Sequence, residues 1–408
     1  MDENIKLKEL VRLGTELNNI HDVDILLERI LHEARAFAHA DAGTIYIIEG
    51  DFLVFSNAQN DSLQSKLPPG DKLPYVSFKI PINHNSICGY VAQTGEILNI
   101  DDVYNIPENV EYRFDSNYDK RANYRTKSML TIPLKSETEA VIGALQIINS
   151  KDENGEVDPF DEDEAMFAHH FAATASMVLQ RAQMTRALLL RMIDMARLRD
   201  PKETGAHVNR VGAYSVEIYE RWALSKGYPK EEIDKNRDML RMAAMLHDVG
   251  KVAISDTILK KPGRFTEDEY EIMKTHAWTG AQLFLDKQSK FDEMAAQVAV
   301  DHHENWDGTG YPGHIDLRTG KALKTDANGN PLPKKGEEIS IYGRVVSLAD
   351  VYDALSCRRV YKKAWSEEDV LNEIKKEKGK KFDPEVVDAF FKSLDLLKSI
   401  YTKYPDNE

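Results

Sequence analysis

Cysteine is nearly absent: only Cys88 and Cys357 occur in 408 residues, and their wide separation argues against a disulfide framework and fits a reducing compartment. No apolar run approaches the roughly 20 residues a membrane-spanning helix needs. The opening Met1-Asp2-Glu3-Asn4 lacks the basic start and apolar stretch of a secretory leader, so a cytoplasmic location is expected. Internal repeats and low-complexity tracts are missing too. Positive charge is scarce: 53 Lys and Arg stand against 68 Asp and Glu, for a net charge of −15. Such a field repels nucleic acids and acidic membrane surfaces. A phosphate-bearing ligand must then meet local positive charge, from a few basic side chains or from bound metal. What remains is an ordinary globular composition, 42% hydrophobic and 30% charged, with length for about two to three domains.

The first forty residues read as two amphipathic helices, the second carrying Ile25, Leu26, Ile30 and Ala34 after an N-cap at Asp22. Strand signals follow. Thr44 to Ile48 and Phe52 to Phe55 flank Glu49-Gly50-Asp51 as a hairpin, and extended segments recur at Val76 to Ile80, Ile97 to Ile100, Ser128 to Leu134 and Val141 to Ile148. The pattern predicts an α+β domain over 1–162. From Asp163 a helix without Pro or Gly runs to Asp200-Pro201. Its apolar positions Phe171, Ala175, Val178, Ala182, Leu189, Met192 and Ala196, with Thr185 the polar exception, step by four and three. That is the seam of a coiled coil, so 163–199 is expected to pair with a second copy of the chain; packing on its own domain is the alternative. Residues 200–408 read as all-α, interrupted by a turn-rich excursion between His314 and Glu338.

The all-α part carries a recurring chemistry: Glu203 with His207, then His247-Asp248, His276, His302-His303-Glu304 and Asp350. A spacing of four puts Glu203 and His207 on one helix face, within reach of a common ion. His247 and Asp248 diverge by about 100° on a helix and would serve two neighbouring ions rather than chelate one. Mixed imidazole and carboxylate donors without thiolate favour iron, manganese or zinc over calcium, and a carboxylate can bridge two such ions. A polar pair inside Met245-Leu246-His247-Asp248-Val249 is costly to bury without a partner or a metal.

These residues resemble, in order, the motifs of the HD-GYP domain, the cyclic di-GMP phosphodiesterase branch of the HD phosphohydrolases. Arg199-Asp200-Pro201-Lys202-Glu203-Thr204-Gly205-Ala206-His207 resembles its opening motif, and His247-Asp248-Val249-Gly250-Lys251 its HD signature. Lys261-Pro262-Gly263 leads to His276, His302 to Pro312 contains the Gly310-Tyr311-Pro312 triplet, and Ala349-Asp350-Val351-Tyr352-Asp353-Ala354-Leu355 resembles the distal aspartate motif. The resemblance implies one metal site from His207, His247, Asp248 and Asp350. Asp248 would bridge to a second site held by His276, His302 and His303, and Glu203 matches the acidic position of members with a third metal. Two or three iron or manganese ions are therefore expected.

Paired cations would activate a water for in-line attack on a phosphodiester and neutralise charge on the phosphoryl oxygens. Lys251, expected to point at the cluster with Asp248, is read as a phosphate contact. Arg359 and Lys362 sit in Arg358-Arg359-Val360-Tyr361-Lys362-Lys363, which resembles the family's Arg-Pro-Tyr-Lys phosphate-binding segment with Val360 in place of the proline. The activity implied is hydrolysis of cyclic di-GMP to linear pGpG and, with a third metal, on to GMP. Hybrid cyclic GMP-AMP as preferred substrate, and a receptor that holds the ligand without cutting it, are the alternatives. The Gly310-Tyr311-Pro312 turn is read as shaping the cleft and, by analogy, as a docking surface for diguanylate cyclases.

Residues from about Ile20 to Val178 resemble a GAF domain, a small-molecule sensor, through Ala40 to Tyr46, Ser86 to Ala92, Tyr124 to Leu130 and Ile142 to Asn149. Asn149, Lys151, Phe160 and Asp163-Glu164 echo, with altered spacing, the signature of cyclic-nucleotide-binding members. The arrangement implies a sensor whose unidentified ligand acts on the enzyme through the linking helix of a homodimer.

Overall fold

A computed structural model describes residues 3–68, 71–74, 78–197, 205–357 and 365–405. The chain forms two compact units, Met1–Arg186 and Ala187–Glu408. Among the described residues no helix is long and apolar enough to cross a membrane.

The first unit opens with α1 (Glu3–Asn18) and α2 (Val23–Phe37), the latter capped as expected by Asp22, whose carboxylate accepts from Asp24 N and Ile25 N. β1 (Ala40–Glu49) and β2 (Phe52–Asn60) form the hairpin around Gly50, which adopts φ 60°. The short α3 (Asp61–Gln64), β3 (Lys79–Pro81), α4 (Ile87–Thr94), β4 (Leu98–Ile100) and α5 (Asn117–Ala122) follow, then β5 (Met129–Lys135), β6 (Val141–Lys151) and β7 (Val157–Asp158). The strands make one antiparallel sheet ordered β3-β2-β1-β6-β5-β4, with β7 beside β6. Strand alternation divides its side chains between two faces. Ile45, Leu145, Ile147, Leu130 and Ile132 pack on Leu26, Ile30 and Leu31 of α2, while Tyr46 and Ala144 meet Cys88 and Ala92 of α4.

A single helix, α6 (Glu162–Arg197), runs 36 residues, about 54 Å at 1.5 Å per residue. Its start is a reciprocal cap: Asp161 accepts from Glu164 N and Glu164 from Asp161 N. The seam read in the sequence is occupied from within. Phe171, Ala175, Val178 and Ala182 are buried with Leu13, Leu17 and Leu27 in the unit's own core, whereas Met192 is exposed. A 3-4 repeat states that a stripe must be covered, and α1 and α2 cover its first half.

The second unit is helical: α7 (Gly205–Ser225), α8 (Lys230–Met245), α9 (Asp256–Leu259), α10 (Glu267–Lys274), α11 (His276–Gln282), α12 (Lys290–Asp301), α13 (Ile341–Ser356), α14 (Glu367–Lys376), α15 (Pro384–Lys392) and α16 (Leu394–Lys403). Its core is built on α7, whose Val211, Tyr214, Ile218 and Tyr219 are buried. A 3-10 stretch, Val249–Ala253, packs so closely on α11 that a Cβ on Gly250 would lie 1.9 Å from His276 O. Only glycine fits there. The 314–338 excursion is folded on itself, with bridges Ile315 to Ala322 and Thr325 to Pro331 and side-chain turns at Asp316 and Asp326.

Candidate metal centre

Five elements supply the histidines and carboxylates. His207 stands in the first turn of α7 and Asp350 within α13. His276 is the first residue of α11, and His302 is the C-cap of α12 with His303 next to it. Because α8 ends at Met245, His247 and Asp248 lie in the turn before the 3-10 stretch and not on a helix, as the apolar run before them suggested. Buried imidazoles are thus held at element ends, where the chain can change direction around a point.

The side chains gather into two groups. Ligand atoms of Asp248, His276, His302 and His303 lie within 4.8 Å of one another, and so do those of His207, His247 and Asp350. Asp248 divides its oxygens between the groups. Oδ1 is 3.1 Å from His276 Nε2 and 3.5 Å from His302 Nε2, while Oδ2 is 3.3 Å from His247 Nε2. In the second group His207 Nε2 is 3.7 Å from Asp350 Oδ1.

The far nitrogen of four rings is already used. Nδ1 of His247, His276 and His302 faces the carbonyls of Ala244 at 2.8 Å, Met273 at 2.6 Å and Ala299 at 2.9 Å, and His207 Nδ1 faces Asp353 Oδ2 at 2.8 Å. A carbonyl only accepts, so Nδ1 carries the proton and Nε2 presents its lone pair inward. Asp248 Oδ1, His276 Nε2 and His302 Nε2 are buried and make no hydrogen bond among the described residues. Orphaned acceptors aimed at one point are expensive unless a cation satisfies them. The donors are imidazole and carboxylate, with no thiolate, so the residues fit a divalent transition metal in each group.

Electrostatics agree. Burial works to raise the Asp248 carboxyl, but Lys251 and the surrounding imidazoles outweigh it and hold the group well below the usual carboxylate range. Burial lowers His302 and, with His302 and His276 beside it, depresses His303 strongly. Both rings are therefore neutral near pH 7, the form that binds metal.

Lys251 reaches the cluster, its Nζ 2.5 Å from Asp248 Oδ2. Glu203, Arg359 and Lys362 lie outside the described residues. Other residues also shape the site. Asp353, buried, accepts from Arg210 Nε at 2.6 Å while holding His207. Its signal was present, three residues after Asp350 on the same helix face. Tyr311 of the Gly-Tyr-Pro turn stacks on His303 with ring centroids 4.8 Å apart. Gly310 is required there because a Cβ would meet Asn305 N at 2.3 Å. Glu304, which burial pushes up to about 7, accepts from Gly313 N at 2.5 Å and so ties the turn back to the histidine pair.

In the first unit the residues that echo a cyclic-nucleotide signature serve the fold. Asn149 accepts from Lys127 N and donates to Tyr124 Oη and Arg125 O. Lys151 pairs with buried Asp41, Phe160 lies in the core and Glu164 caps α6. Asn149 in this way binds the 124–127 segment to the sheet.

Known proteins share both halves. Residues 22–179 match the GAF domain family model and residues 204–355 that of the HD domain. The chain is similar to a 3'3'-cGAMP-specific phosphodiesterase 2 of Vibrio cholerae, 34% identical over 205 residues, which are 50% of this chain and 34% of that protein. A probable cyclic di-GMP phosphodiesterase of the same organism is 37% identical over 233 residues, 55% of this chain and 48% of the relative. A cyclic di-GMP phosphodiesterase of Thermotoga maritima is 35% identical over 206 residues, 50% and 49% of the two chains. The chain spans half or less of the length of these three curated relatives.

Proposed function

Since the chain carries a GAF domain over 22–179 and an HD domain over 204–355, we propose that it is a metal-dependent phosphodiesterase hydrolysing cyclic di-GMP, regulated by its N-terminal sensor. The observation that carries this reading is Asp248, whose two oxygens are shared between two histidine groups with inward-facing lone pairs. His207, His247 and Asp350 would hold one ion, His276, His302 and His303 the other, with Asp248 between them; Glu203 is kept as the ligand of a third. Iron or manganese is the expected identity. Bound in this way, divalent cations supply Lewis acidity that makes water nucleophilic near neutral pH and offsets phosphoryl charge. The protein's own part is positioning. Carbonyl-fixed tautomers keep Nε2 inward, Tyr311 walls the His303 side, and Lys251 offers an ammonium to the same point. With a phosphodiester present, Lys251 is placed to exchange Asp248 for a non-bridging oxygen, with Arg359 and Lys362 as further phosphate contacts.

The product is pGpG, or GMP where a third ion is held. A preference for hybrid cyclic GMP-AMP is the second reading, favoured by the similarity to a 3'3'-cGAMP-specific enzyme. A non-cleaving receptor is disfavoured by the complete ligand set. Incubating Mn2+- or Fe2+-loaded protein with each cyclic dinucleotide and resolving products by chromatography tests all three. Loss of turnover of both dinucleotides in Asp248→Ala is expected, and intact ligand recovered from wild type would reject the enzymatic reading.

The functional division proposed is a sensor over 1–162, a linking helix over 163–199 and the enzyme over 200–408, in the cytoplasm. We propose a homodimer formed not through the buried seam but through exposed Met177, Met184, Leu188 and Met195 on α6, which step by seven, four and seven. Ligand state in the sensor would act through this helix on His207. Equal turnover by the full chain and by one beginning at Ala187 would count against that circuit. Docking of a diguanylate cyclase on the Gly-Tyr-Pro turn is part of the same proposal.

A further inference from the structure

The 314–338 excursion is fastened to the two elements that carry His276, His302 and His303. Its base grips both carboxylates flanking the histidine pair. Lys334 Nζ reaches Asp301 Oδ1 at 2.5 Å, and Lys334 N donates to Glu304 Oε2 at 3.2 Å. The other oxygens of those carboxylates hold the chain on either side of the excursion: Asp301 Oδ2 accepts from Ser340 N at 2.9 Å and Glu304 Oε1 from Gly313 N at 2.5 Å. Asp301 and Glu304 are each 2% exposed. One lysine therefore clasps the residues immediately before and after His302-His303.

The outer part of the excursion fastens to α11, whose first residue is His276. Leu317 packs with Trp278, Phe284, Ala281 and Val300, and Gln282 Nε2 donates to Arg318 O at 3.2 Å. Gly320, at φ +69°, lies against the Trp278 ring so closely that a Cβ would come within 2.9 Å of it. A folded loop joined to α11 at one end and to the α12 terminus at the other fixes the separation of the two.

We propose that the excursion is an internal brace for the Asp248, His276, His302 and His303 group, and that Lys334 is a positioning residue for the histidine pair. The proposal rests on the reading of the two groups as metal sites. Lys334 touches no ligand atom and acts through Asp301 and the Glu304 turn. Outer-shell contacts of this kind set ligand orientation, and their loss lowers metal affinity about 10–100-fold.

The test is a Mn2+ titration of the full chain, following the EPR signal of free Mn2+. Wild type is expected to show two classes of site. Lys334→Met should weaken one class about 10–100-fold and leave the other unchanged. Lys334→Arg should restore it, and Lys321→Met, at an exposed position of the excursion, should change neither. Anomalous diffraction from Mn2+-soaked crystals of Lys334→Met should lose the peak beside His276 and His302 and keep the one beside His207 and His247. Should Lys334→Met fail to fold, by far-UV circular dichroism, Asp301→Asn carries the same expectation. Unchanged affinities, or equal loss from both classes, would overturn the brace. A wild-type chain that binds no Mn2+ would overturn the metal reading, and the brace with it.

Discussion

Replacing Asp353 by asparagine tests the least visible part of the site. The carboxylate is 1% exposed and serves three proton-bearing partners, accepting from Arg210 Nε and Nη2 at 2.6 and 3.0 Å, from His207 Nδ1 at 2.8 Å and from the Cys357 thiol at 3.5 Å. Burial alone would raise its pKa, yet His207 and Arg210 bring it below the usual value, so the charge is kept inside. Asparagine conserves shape but removes that charge and turns an NH2 group toward one or more of these donors. Arg210, also 1% exposed, would lose the negative charge of Asp353. Breaking one side of a buried pair costs about 3–5 kcal/mol, much more than the 0–1 kcal/mol of a surface pair. All four tryptophans, Trp222, Trp278, Trp306 and Trp365, belong to the second unit, so urea unfolding of metal-free protein followed by tryptophan fluorescence reports on that unit alone. The expected result is a loss of about 3–5 kcal/mol. Mn2+ affinity at the His207 group should also fall about 10–100-fold, since that ring loses the acceptor that fixes its tautomer. A variant within about 1 kcal/mol of wild type and with unchanged Mn2+ affinity would refute both the electrostatic account and the positioning role.

Gly250→Ala should destabilise the second unit by at least about 1–3 kcal/mol, the usual range for overpacking, because its Cβ would meet a backbone carbonyl; a thermal melt by tryptophan fluorescence checks this. Free Mn2+ at 100 times its dissociation constant should stabilise the same unit by about 2.7 kcal/mol, reversed by chelation, and melts with and without EDTA measure it. In the first unit Asp41 is lowered, because although burial raises it, Lys151, Tyr124 and Ser62 prevail. Its contribution is present above the unfolded carboxylate value of about 3.9 and disappears as pH falls below that through the depressed folded value. Circular-dichroism melts of Asp41→Asn between pH 5 and 3 should show a flatter acid dependence than wild type. Replacing Met184 and Leu188 together by glutamate should convert a dimer to monomer in sedimentation velocity, with turnover per chain as the accompanying readout.

Local features were legible wherever the cause was local. Asp22 capped its helix, Gly50 turned its hairpin and Pro-free 162–197 made one helix, because caps, positive φ and helix continuity depend on a few neighbouring residues. The HD pair was misplaced by two residues of helix, since an apolar run does not announce where its last carbonyls find partners. The α6 stripe was read as apolar and expected to meet a second chain, with its own domain as the alternative, and α1 and α2 buried its first half.

The sequence by itself determined the chemistry available: which imidazoles and carboxylates exist, and in what order, because side-chain identity and short-range spacing are properties of the chain. Their division into two groups, the sharing of Asp248 between them, the partners that fix Nδ1 of His207, His247, His276 and His302, and the clasp of Lys334 on Asp301 were decided by the tertiary structure. Those relations join atoms as much as 146 residues apart, as between His207 and Asp353. Distances of that kind follow from how helices pack, and Gly250 shows how little room the packing leaves.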